Sequence, residues 1–186
     1  MSEYENKIFK TLTSSEDRFK SAFEIANHLN MVKRKMIQQF WKSVEKDLNE
    51  LILKTGENFK VALDSDLSHP TSKCYLYDGK NPSVRVLFEN LSQKQTFGIW
   101  FSDDKINYEK ITEYRNAVNL DFGSYSFNHW WFAKTHVQND FNSFESLLMI
   151  LPAKMSEYSM SKAQKLFDFA VTNKVHTEYI INNCLK

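Results

Sequence analysis

The hydrophobic period of this chain changes at Gly56, and that change limits what it can build. Before it, Phe19, Phe23, Ala26 and Leu29 recur at spacings of three and four. Ile37, Phe40, Trp41, Val44, Leu48, Leu51 and Ile52 continue the rhythm. Such spacing paints one apolar stripe on a helix, with Gln38, Gln39, Lys42, Glu45, Lys46 and Glu50 on its other side. After Gly56 the period drops to two. Phe59, Val61 and Leu63 alternate with Lys60, Ala62 and Asp64, the pattern of a strand with one covered face. A chain with both patterns is expected to lay helices on a sheet.

The helical part has readable ends. Ser15 is placed to cap a helix start, with Glu16 and Asp17 in the first turn, where the helix dipole favours acids. Lys33-Arg34-Lys35 falls where the stripe shifts, which predicts two helices within residues 15–55 and a break near Asn30. Gly56 fits the left-handed position that closes the second. Residues 1–14 read as an arm or a short first helix.

Four strands follow. The first is Phe59 to Leu63. A polar loop with Pro70 leads to the second, Lys73 to Tyr77. Asp78-Gly79-Lys80-Asn81-Pro82 carries the residues of a turn. Val84, Val86 and Phe88 alternate in the third strand. Thr96 to Phe101 is apolar on both faces, the mark of a central strand. Asp103 or Asp104 is then placed to cap a helix running to Ala117, and Tyr125 to His136 reads as a fifth strand. Asn142 with Glu145 predicts a helix from Phe144 to Leu151 ended by Pro152, and Ser161 with Gln164 predicts the start of a long C-terminal helix. Short links favour antiparallel neighbours. The expected fold is α+β: a mainly antiparallel sheet of about five strands, flanked by N- and C-terminal helices in a single domain of 186 residues.

Composition excludes several classes. With 15 Phe, 8 Tyr and 4 Trp the chain carries the aromatic mass for a core, which disordered chains lack. No apolar run is long enough to span a bilayer, and the polar start MSEYENKIFK has no secretory core, so a cytoplasmic protein without a membrane partner is expected. Cys74 and Cys184, far apart in sequence, then read as two reduced thiols. The 24 Lys and Arg residues are balanced by 23 Asp and Glu, so a phosphate-binding site would have to be a local patch.

The residues allow more than one chemistry. Lys33, Arg34 and Lys35 form the compact basic cluster suited to phosphates. Ser124 to His136, with Trp130 and Trp131, has the aromatic and basic types on which single-stranded nucleic acids stack, and so does Lys73 to Tyr77. If one sheet face is core and helices cover the other, the same aromatics are structural. Asp64, Asp66, Asp78 and Lys80 are the residue types of a magnesium-dependent phosphodiesterase, which needs carboxylates converging on the metal and a nearby lysine. Gly79 and Pro82 oppose that reading, because they favour a turn where the nuclease motif needs a strand. The five histidines are scattered without ligand spacing, so no metal site is expected. A cation next to Cys74 could lower its pKa, but a buried structural cysteine is the commoner case.

Residues 36–53, MIQQFWKSVEKDLNELIL, resemble the helix opening with Phe-Trp in the C-terminal accessory region of bacterial PD-(D/E)XK-superfamily nuclease-like proteins. Phe97-Gly-Ile-Trp-Phe101 and Trp130-Trp-Phe-Ala-Lys134 resemble strands that follow in that region. The likeness covers roughly residues 36–151, and the nuclease core of that family has no counterpart here. It implies an accessory domain that binds rather than cleaves, of bacterial or mobile-element origin, with a role in defence.

The reading from sequence is a non-enzymatic binding or regulatory domain without a cofactor. Its expected ligand is nucleic acid or a partner protein, and Lys33, Arg34, Lys35, Trp130 and Trp131 are its binding residues. The alternative is a small divalent-metal nuclease using Asp64, Asp66, Asp78 and Lys80 with Mg. A homo-oligomer, in which exposed aromatics serve only as an interface, is a third expectation.

Overall fold

A computed structural model of the chain describes residues 2–79, 81–118 and 125–186, with backbone alone for Asp103 and residues 138–140. It divides into two compact units, Met1–Met36 and Ile37–Lys186.

The first unit is helical. Helix α1 spans Glu3–Leu12 and opens on a reciprocal cap: Ser2 Oγ accepts from Glu5 N–H while Glu5 accepts from Ser2 N–H. Helix α2 spans Glu16–Thr55. Ser15 Oγ accepts from Arg18 N–H at 3.3 Å, as its position before two acids implies. The break expected near Asn30 is absent, and α2 runs unbroken through it. A shift of the apolar stripe rotates the buried face without costing a backbone hydrogen bond. A single Asn costs a helix only a few tenths of a kcal/mol, while Lys and Arg are good helix formers.

In the second unit α2 buries Ile37, Phe40, Trp41, Val44 and Leu48, the predicted stripe, and Gly56 closes it at φ 72°. Strands β1 (Phe59–Leu63), β2 (Lys73–Asp78), β3 (Asn81–Glu89), β4 (Lys94–Phe101) and β5 (Trp131–Asp140) form one antiparallel sheet in sequence order. A 3₁₀ turn (Asp103–Lys105) and helix α3 (Tyr108–Val118) lie between β4 and β5. Helices α4 (Phe144–Met149), α5 (Pro152–Thr172) and α6 (Lys174–Asn183) complete an α+β arrangement.

Register separates the two faces of the sheet. Cys74 pairs with Phe88, Leu76 with Val86, Phe88 with Phe97 and Val86 with Ile99, and all of these are buried. The helices cover this face: Trp41 of α2 lies 5.6 Å from Phe88, Phe169 of α5 4.8 Å from Phe97, and Phe167 meets Phe59 edge-on. Trp41 Nε1 also donates to the Leu91 carbonyl at 3.0 Å, tying α2 to the β3–β4 turn.

Several element ends differ from expectation. The fifth strand begins at Trp131, not Tyr125, because Ser126 and Lys134 bond to each other and the Asn128 side chain caps the turn between them. Asn107, not an aspartate, caps α3, its side chain accepting from Glu109 N–H and Lys110 N–H. Ser143, one residue after Asn142, caps α4. Pro152 occupies the first turn of α5, where its missing N–H is harmless, so the C-terminal helical region starts nine residues before Ser161.

Candidate nucleic-acid interface

The second face of the sheet carries a different chemistry. Lys60 pairs with Tyr77, Ala62 with Tyr75, Tyr75 with Leu87, Arg85 with Trp100 and Gly98 with Lys134, so these residues share that face. The Arg85 guanidinium lies 4.4 Å from the centre of the Tyr75 ring and 4.9 Å from that of Trp100. Its Nε donates to the Pro82 carbonyl at 2.7 Å, which fixes the plane of the fork. Lys73 Nζ sits 5.5 Å from the Trp100 ring, 3.3 Å from Glu89 and 2.8 Å from the Thr71 carbonyl. Tyr75 and Tyr77 are 5.9 Å apart. The result is a half-buried ladder of rings and cations running across β2, β3 and β4. Its described ring contacts are internal to the sheet, whereas those of the other face reach α2 and α5.

Close strand packing makes this face continuous. Gly98 holds φ at +151°, and a Cβ there would come within 2.0 Å of the Ala133 carbonyl oxygen. The β4–β5 pair therefore needs glycine at this point. It brings Lys134 beside Gly98 and His136 beside Thr96, extending the polar and basic edge of the ladder.

The residues singled out from the sequence are dispersed. Lys33, Arg34 and Lys35 lie on α2 within the first unit. Trp131 is 4% exposed and pairs with Trp100 in the register, so it is buried beside the ladder and offers no surface for stacking; Trp130 is 45% exposed, beside His129. Asp64 accepts from Lys73 N–H at 2.8 Å, and Asp66 accepts from Ser68 N–H and Oγ. Asp78 pairs with Phe59 at the opposite end of the β1–β2 hairpin, about 13 Å from the Asp64 end by strand rise. Asp64 and Asp78 thus do not converge, and Lys80 lies outside the described residues. Among the described residues no group of three His, Cys, Asp or Glu side chains could hold a metal ion. Cys74 and Cys184 are both free and buried. Burial, reinforced by Glu45 and Asp64, pushes the Cys74 thiol far above its ordinary range. The neighbouring lysine does not activate it.

The ladder residues Arg85 and Trp100 are absent from the sequence-based candidates. The segments Lys73 to Tyr77 and Thr96 to Phe101 were visible as strands. Only the register shows that Tyr75, Arg85 and Trp100 share a face. No family model, no curated protein and no solved structure matches the chain.

Proposed function

We propose that the protein is a non-enzymatic binding module that holds single-stranded nucleic acid on the second face of its sheet. The observation that carries this is the Arg85 guanidinium set between Tyr75 and Trp100 on the face opposite the one that α2 and α5 cover. Bases stack on aromatic rings and on guanidinium planes alike, and such contacts are tolerant of sequence. Lys60 and Lys134 share the face and supply the charge for phosphates, which a chain with balanced totals can offer only locally. The bacterial or mobile-element setting, and a part in defence, rest on the resemblance of residues 36–151 to the nuclease-accessory region.

Fluorescence anisotropy with labelled DNA and RNA oligonucleotides of roughly 15 nucleotides tests the reading, since single-strand sites span ~4–16 nucleotides. Binding is expected at low salt without divalent metal, to weaken as salt rises, and to favour single strands. Trp100→Ala should weaken it roughly 5- to 150-fold, the equivalent of one lost base stack of ~1–3 kcal/mol. Arg85→Ala should weaken it similarly. The absence of binding to any oligonucleotide at low salt would sink the proposal. Product formed only with Mg²⁺ would favour the nuclease reading instead.

A further inference from the structure

The first unit leaves most of its apolar surface uncovered. Ten large apolar side chains between Tyr4 and Val32 stand 39–73% exposed, and α1 buries no residue at all. At roughly 150–250 Å² per large side chain, about half exposed, they hold on the order of 1,000 Å². A monomer's largest apolar patch is commonly ~300–600 Å², while a stable interface takes about 800 Å² from each partner. Spread over α1 and more than one side of α2, the total is comparable with one partner's share of a stable interface.

The surface has helical order. Tyr4, Ile8 and Leu12 recur at successive turns of α1; Phe19, Phe23 and Leu29 lie along one side of α2 with the small Ala22 and Ala26 among them. Charge sets the direction. Glu16 and Arg34 are eighteen residues apart, five turns at ~3.6 residues per turn, so they lie on the same side of α2 near Phe23. The start of this stretch carries Glu16 and Asp17 with Arg18 and Lys20, and its end carries bases alone, Lys33, Arg34 and Lys35. The acids already suit the helix N-terminus. Arg34 sits mid-helix, far from either end, where the macrodipole does not act on it. Parallel pairing of two copies would oppose like charges; antiparallel pairing brings Glu16 of each copy to Arg34 of the other.

We infer that two copies of this chain associate through the α1–α2 face, with their α2 segments antiparallel and centred near Ile25. Two helices from each copy then make a four-helix bundle. Phe19 of one copy packs near Leu29 of the other, and Ala26 lies close to the two-fold axis, where a small side chain lets the helices approach. This inference does not depend on nucleic-acid binding, which concerns the other unit.

Sedimentation equilibrium of the full chain tests it. A species near twice 22.0 kDa is expected. Phe19→Glu with Phe23→Glu should give a monomer whose thermal melt is otherwise retained, since both side chains are exposed. Glu16→Arg and Arg34→Glu should each weaken the dimer at least tenfold alone, and an equimolar mixture of the two should restore it, because both cross-pairs are then opposite in sign. Ala26→Cys should form an interchain disulfide on oxidation, the two native thiols being buried. A monomeric wild type at about 100 µM, well above the ~µM range of weak specific association, would overturn the inference. Charge variants that leave the dimer unchanged would overturn the antiparallel register.

Discussion

Gly98 shows how much one residue can decide. Its missing Cβ lets Ala133 approach, and any side chain there meets a backbone oxygen that cannot yield without parting β4 from β5. Gly98→Ala is expected to lower unfolding stability by about 3 kcal/mol or more, measured by urea denaturation. A glycine inside an apolar strand is a legible sign of close backbone approach; that the neighbour is Ala133, thirty-five residues on, is not. Lys162 is the opposite case. It is buried, with Nζ 3.2 Å from Gln95 Oε1 and over the rings of Phe88 and Tyr158. Burial, with Lys165 nearby, pulls its pKa down from 10.5 to about 8. Between those values the unfolded chain holds a proton that the folded chain has released, so stability rises with pH through that window and is level below it. Lys162→Met removes the dependence. Its stability relative to wild type should fall by roughly 1–3 kcal/mol from about pH 7.5 to about pH 10, read from paired urea melts. Sequence rules place a lysine beside an apolar stripe in solvent; only the packing of α5 against Phe88 places this one inside.

Among the elements, α2 and the sheet were the most legible. The residues of the 3.6 period from Ile37 to Leu48 are the ones α2 buries, and Phe40, wholly buried against Trp41, Phe141 and Tyr158, is its anchor. Phe40→Ala should cost about 3–5 kcal/mol in a denaturant melt, the usual range for an enclosed phenylalanine. Four of the five strands lie where alternation predicts them. Ends set by side-chain caps moved instead, since Asn107, Asn142 and Ser143 are chemically interchangeable as caps and only local geometry chooses among them. The candidate site suffered from the same limit at longer range. β4 alternates Phe97, Ile99 and Phe101 with Thr96, Gly98 and Trp100, and both series contain an aromatic ring. Nothing in that string says which series meets α5. The contact of Phe97 with Phe169 answers it, and by doing so leaves Trp100 with Arg85.

For the whole molecule, the two units predict separable behaviour. A chain of residues 37–186 keeps every buried residue of α2 and the entire sheet, so it should melt cooperatively within a few degrees of the full chain and sediment as a monomer. The strands follow one another in space as they do in sequence, and the pairings of β1 to β4 close short loops and form early, while β5 joins across twenty-nine residues. The layer that dries the sheet is not so local. Phe88 waits for Lys162, and Phe97 for Lys165 and Phe169, all on α5, where Phe169 lies twenty-nine residues past the end of β5. At ~5–20 residues per second a ribosome takes about 1.5–6 seconds to supply them. During that interval a nascent chain with a finished sheet has α2 alone over its aromatic face, and the strip that α5 will cover stays wet.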